Sequence, residues 1–204
     1  MYKPKTTLSS ATYQSQKAPK ITKFSELPII KNGLYVFDID ETLLVFDEIS
    51  EEWWKRNYDK FLSESGDVQD AYNTMHKLFS SIITKNAHYT TDIDGFRKIE
   101  ENLGRYNNKI VFLTARPSNL AGPTHRQIAS LNLKDAYPIY FSSEKGQEMK
   151  KIINKARCGY ESVVFVDDKI YNIEAVQKEC PEVQCFQFVP DEYIEKLKLS
   201  KKEK

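Results

Sequence analysis

Short apolar runs separated by amphipathic stretches set the rhythm of this chain. Leu34-Tyr35-Val36-Phe37, Lys109-Ile110-Val111-Phe112-Leu113, Tyr137-Pro138-Ile139-Tyr140-Phe141, Val163-Val164-Phe165-Val166 and the stretch from Val183 to Val189 each read as a strand. They are rich in β-branched and aromatic residues and too short for helices. Their near-continuous apolarity belongs to a parallel sheet covered on both faces. Between the strands, apolar positions step by three and four. Val68, Tyr72, Met75, Leu78, Phe79, Ile82 and Ile83 mark one face of a helix from Val68 to Lys85. Further helices are predicted over Glu48 to Leu62, Asp92 to Leu103, Thr124 to Leu131, Gln147 to Ala156 and Asn172 to Lys178. Asp92 is a candidate N-cap and Gly104 a C-terminal stop. Strands alternating with helices predict an α/β domain with a doubly wound, Rossmann-like parallel sheet.

The span from Leu43 to Asn108 is longer than one crossover helix requires. The surplus predicts a small helical insertion, at about 46–90, inside a core domain of 28–190. Trp53, Trp54 and Tyr58 are expected to be core between its two helices rather than substrate contacts. Residues 1–27 are rich in Lys, Ser and Thr and predict a surface arm; residues 191–204 predict a Lys-rich C-terminal helix.

Composition narrows the partners. A net charge of +1 gives no general attraction to nucleic acid or anionic membranes. No apolar run approaches transmembrane length, and the N-terminal stretch lacks both arginine and an apolar h-region, so a cytoplasmic protein is expected. A translocated effector or a fragment of a longer protein stand as alternatives. Cys158, Cys180 and Cys185 match no zinc or redox spacing and are expected to be reduced, buried thiols. His76 and His88 have no ligand-spaced partner.

Chemistry is expected at the C-terminal tips of the strands, where ligands sit in such sheets. The first strand ends in Asp38-Ile39-Asp40-Glu41-Thr42, the second in Thr114-Ala115-Arg116, the fourth in Asp167-Asp168, and Lys145 follows the third. Carboxylates that converge repel one another and lose hydration unless a cation joins them. Carboxylates, a carbonyl and waters suit Mg²⁺. With a lysine, a hydroxyl and backbone amides nearby, the set makes a phosphate site. Two carboxylates there can divide the work. Asp38 can attack phosphorus, and Asp40 can protonate the leaving alcohol and then activate water. Asp40 must carry a proton for the first step, so its side chain cannot be a close ligand of the metal.

These four strand-tip motifs, in this order, resemble those of the haloacid dehalogenase superfamily of phosphohydrolases. The resemblance covers about 28–190 and rests on Asp38-Ile39-Asp40-Glu41-Thr42, Val111 to Thr114, Lys145, and Val163 to Asp168. It implies a central strand order of 3-2-1-4-5, with Asp38 as nucleophile and Asp40 as acid/base. It implies Mg²⁺ held by Asp38, the Asp40 backbone carbonyl and Asp167, with Asp168 direct or behind. Thr114 and Lys145 are implied to bind the phosphoryl group, with Ala115, Thr42 and Arg116 as further candidates. Arg116 and Asn172 are equally readable as a surface charge and a helix N-cap. Dehalogenase members lack the second aspartate of the first motif, so a phosphatase is expected. A small insertion leaves the site open, which suits a phosphotyrosine or other phosphoprotein substrate. The alternatives are a small-metabolite phosphatase, a phosphotransferase or mutase, and a catalytically weak binding module of the same fold.

Overall fold

The structure, a computed structural model, describes residues 17–46, 49, 51–85, 88–155 and 159–189. Its centre is a six-stranded sheet in which every neighbouring pair is parallel. The strands are β1 (Lys20–Ile21), β2 (Gly33–Phe37), β5 (Lys109–Thr114), β6 (Ile139–Phe141), β7 (Ser162–Asp167) and β8 (Gln184–Phe188), in the order β1-β8-β7-β2-β5-β6. A small antiparallel pair, β3 (Leu44–Phe46) and β4 (His88–Thr90), stands apart from it.

Strand periodicity splits the core in two. Tyr35, Phe37, Ile110, Phe112, Val164 and Val166 face one side, with Phe96 of α3 (Ile93–Tyr106) and Ile128 of α4 (Ala121–Ser130). Leu34, Val36, Val111, Leu113, Val163 and Phe165 face the other, under Met149 and Ile152 of α5 (Lys145–Lys155) and Ile173 and Val176 of α6 (Ile170–Glu179). Both faces are therefore covered, which is why the central strands β5 and β7 are apolar except at their end residues. Gly146 lets α5 lie close on α6: a Cβ there would collide with the backbone carbonyl of Ala175.

The insertion between β3 and β4 contains α1 (Glu51–Ser65) and α2 (Val68–Lys85). Trp54 meets Phe79 across the pair with ring centroids 5.3 Å apart, and Trp53 is buried, so these aromatics are core. Among the described residues, no helix is long and apolar enough to cross a membrane.

Several boundaries differ from those expected. Residues 20–27 are packed rather than arm-like. β1 pairs with β8, and Phe24 is fully buried against Phe37, Phe96 and Phe188. Residues 1–16 and the predicted helix over 191–204 lie outside the described residues, as does Cys158. Asp92 caps α3 by accepting from the Gly95 amide, but the helix runs through Gly104 to Tyr106 and stops where Asn107 turns left-handed at φ 52°. Lys145 is the first residue of α5 rather than part of the preceding loop, and Asn172 lies inside α6, whose N-cap is Lys169. Cys180 and Cys185 are free, buried thiols; burial pushes Cys180 up to about 11 and Cys185 up to about 12, which keeps both inert.

Candidate active site

Register brings the acidic tips together. Phe37 pairs with Val166 on β7, and the Asp38 amide continues the ladder to the Val166 carbonyl at 2.9 Å. Asp38 and Asp167 thus stand level on adjacent strands. On the other side Phe37 pairs with Phe112, which sets Thr114 two residues beyond on β5. The chain leaves β2 through a sharp turn, with Glu41 at φ 63°, a conformation non-glycine residues seldom adopt. That turn sends Thr42 back toward β7.

Lys145 sits between the two level aspartates. Its Nζ donates to Asp38 Oδ1 at 2.5 Å and to Asp167 Oδ2 at 2.6 Å, and all three side chains are buried. Asp167 also accepts from the Lys169 amide at 2.8 Å and from Asn172 Nδ2 at 3.0 and 3.1 Å. Asp168 pairs with Lys169 at 2.8 Å, where the lysine side chain is 44% exposed. Carboxylate oxygens of Asp38, Asp167 and Asp168 lie within 4.8 Å of one another. Three converging carboxylates fit a hard cation and no soft one.

The electrostatics agree with that fit. Burial pushes the Asp38 carboxyl well above its ordinary range; Lys145 opposes this, while Asp167, Asp168 and Asp40 add to it. Burial pushes Asp168 up to about 6, against the pull of Lys169. Burial works against the charge of Lys145, but Asp38 and Asp167 outweigh it and leave its pKa raised. Among the described residues, four carboxylates (Asp38, Asp40, Asp167, Asp168) face three side-chain cations (Lys145, Arg116, Lys169), an excess of one negative charge when all are ionised.

Asp40 is held apart from the triad. Arg116 grips it bidentately, Nε to Oδ2 and Nη2 to Oδ1 at 2.8 Å each, and is itself fixed through Nη1 by Thr124 at 2.9 Å and Gln127 at 2.6 Å. The Asp40 side chain is thus no part of the candidate metal set.

Two expected phosphate contacts need correction. Arg116 has a fully buried side chain whose three nitrogens are all engaged with Asp40, Thr124 and Gln127, so it buttresses Asp40 instead of facing a phosphoryl group. Thr42 is also fully buried; its Oγ1 accepts from the Asp168 amide at 3.0 Å and its carbonyl from Thr91 Oγ1, so it ties the first loop to the fourth. Thr114 and Ala115 remain at the tip of β5. Thr114 Oγ1 accepts from the Arg116 amide at 3.2 Å, which leaves the hydroxyl hydrogen free to donate, and Ala115 is exposed.

Sequence reasoning did not single out Lys169, Thr124, Gln127 or Gln187, whose Nε2 holds the Asp168 carbonyl at 3.0 Å. Lys169 follows Asp168 directly and could have been found; the other three become neighbours only on folding.

A family described as "Protein of unknown function (DUF2608)" matches residues 15–138 and 139–198, and the chain belongs to it. No curated protein matches. Among solved structures, a chain from "Structure of Pnkp1/Rnl/Hen1 complex" is similar over 85% of this chain and 50% of that one, at 13% identity and a TM-score of 0.43. This chain therefore spans about half the length of that one. A likeness at that score says nothing of activity.

Proposed function

We propose that this protein is a Mg²⁺-dependent phosphate monoester hydrolase of the haloacid dehalogenase type, acting through an aspartyl-phosphate on Asp38. The observation that carries the reading is the single buried ammonium of Lys145 shared by Asp38 and Asp167, with Asp168 beside them. Net negative charge on a buried cluster is costly unless a cation offsets it, and Asp38, Asp167 and Asp168 would hold that cation. When bound, Mg²⁺ supplies charge neutralisation to phosphoryl oxygens. The order of the five longer strands supports the reading. Numbered along the chain as β2, β5, β6, β7 and β8, they run 3-2-1-4-5 from β6 to β8.

Asp38 attacks phosphorus, forming a new O–P bond as the bond to the leaving alcohol breaks. Lys145, the Thr114 hydroxyl and the Ala115 amide are set to hold the phosphoryl oxygens. Asp40 gives its proton to the leaving oxygen. It then takes a proton from the water that attacks phosphorus and frees Asp38. The insertion, two helices among the described residues, is small, which favours a bulky substrate such as a phosphotyrosine side chain of a protein.

Hydrolysis of 4-nitrophenyl phosphate tests the reading. Turnover is expected with Mg²⁺, none with chelator, and a loss of about a thousandfold or more in Asp38→Asn. Turnover by Asp38→Asn within tenfold of the wild type would overturn it.

A further inference from the structure

A second polar cleft lies away from the strand tips, where the end of α2, the start of β4 and α4 meet. Thr84, His88, Pro123, Arg126, Gln127 and Ser130 line it, around a volume of about 210 Å³. That is room for several waters, each occupying about 30 Å³ in the liquid. Among the described residues no carboxylate lines the cleft.

We propose that this cleft binds a small oxyanion, of the phosphate or phosphate-ester class, with Arg126 as the principal contact and His88 as the second. Arg126 is exposed, and no described residue forms an ion pair with it. Its Nη1 lies 3.6 Å from where a Cβ on Gly122 would stand, so the guanidinium folds back along α4. A planar fork of donors matches a tetrahedral oxyanion better than any other side chain does.

His88 supplies the second half. Its Nε2 is 3.2 Å from Ser130 Oγ, and that hydroxyl already donates to the Gln127 carbonyl at 2.7 Å. The imidazole is therefore the donor to Ser130, and a second proton would go on Nδ1. Burial, and then the charge of Arg116, hold His88 below its ordinary pKa. An anion in the cleft offsets both and recruits the imidazolium as a donor. The wall behind is fixed: Gln127 Oε1 accepts from Arg116 Nη1 at 2.6 Å and Gln127 Nε2 donates to the Ile83 carbonyl at the end of α2. An anion held here thus sits one side chain from the Arg116–Asp40 pair and bridges the helical insertion to the core.

The test uses inorganic phosphate as probe and the full chain without divalent cation, which separates this cleft from the strand-tip site. Phosphate is titrated at constant pH and ionic strength while the imidazole Cε1–H signals of the three histidines are followed by NMR. The expected result is a saturable shift at His88 with His76 unmoved, and an apparent affinity weakened about tenfold in Arg126→Ala, as loss of a charged hydrogen bond implies. Arg126 lies outside the catalytic machinery, so this variant keeps its hydrolytic rate. A His88 signal that does not move, or that responds equally in Arg126→Ala, overturns the proposal. Neither result bears on hydrolysis at Asp38.

Discussion

The guanidinium of Arg116 and the carboxylate of Asp40 meet through two hydrogen bonds of 2.8 Å, one from Nε and one from Nη2. Fork-to-fork geometry fixes the plane of the carboxylate as well as its distance. A lysine in that position offers one point charge and fixes neither. Arg116→Lys is therefore expected to lower kcat by roughly tenfold to a hundredfold, the cost of a misplaced catalytic group, while KM stays nearly constant. Steady-state kinetics on an aryl phosphate checks this. A rise in KM with kcat unchanged would make Arg116 a substrate contact instead.

On the proposed reading, Lys169 would compete with the metal for Asp168. Its ammonium is 2.8 Å from Asp168 Oδ2, and the lysine side chain is 44% exposed, so water screens the pair from that end. Lys169→Met is expected to tighten Mg²⁺ binding by about fivefold, the worth of a pair screened at its lysine end, about 1 kcal/mol. Calorimetric titration of Mg²⁺ into both proteins measures it. Weaker binding in Lys169→Met would mean that Lys169 supports the metal site rather than opposing it.

The pH dependence follows from Asp168. Burial pushes its carboxyl up to about 6 from an ordinary value of 3.8, against the pull of Lys169. Between these values the folded chain holds a proton that the unfolded chain has released. The stability Asp168 contributes is thus full below about pH 4 and lost as pH rises through about 6. The ionised form is the one that binds a cation. Mg²⁺ is expected to raise Tm by several degrees at about pH 7.5 and to leave it unchanged at about pH 5. Thermal melts at both pH values, with and without Mg²⁺, decide it; an equal shift at both would remove Asp168 from the metal set.

The strand tips were legible because an apolar run broken by Asp is a local signal: Phe37-Asp38 and Val166-Asp167 announce themselves within a few residues. The partners of Arg116 were not legible. Thr124 and Gln127 lie on α4, and nothing in their own neighbourhood says that they turn toward a guanidinium. Asn172 was readable as a helix cap because the start of α6 was expected there. The helix begins two residues earlier, which turns Asn172 onto Asp167. Phe24 lies between Ile21 and Leu27 in a Lys-, Ser- and Thr-rich stretch too short for its spacing to show that it closes the aromatic core against Phe37 and Phe188. Thr42 had the right spacing for a loop residue, but its use, bracing the Asp168 amide, depends on the turn at Glu41.

The most direct measurement is an acid quench during turnover of an aryl phosphate with Mg²⁺, followed by peptide mass spectrometry. The account predicts a phosphoryl group on the peptide containing Asp38, removed by hydroxylamine and absent from Asp38→Asn. A phosphoryl group on another residue, or turnover with none trapped at Asp38, would contradict it.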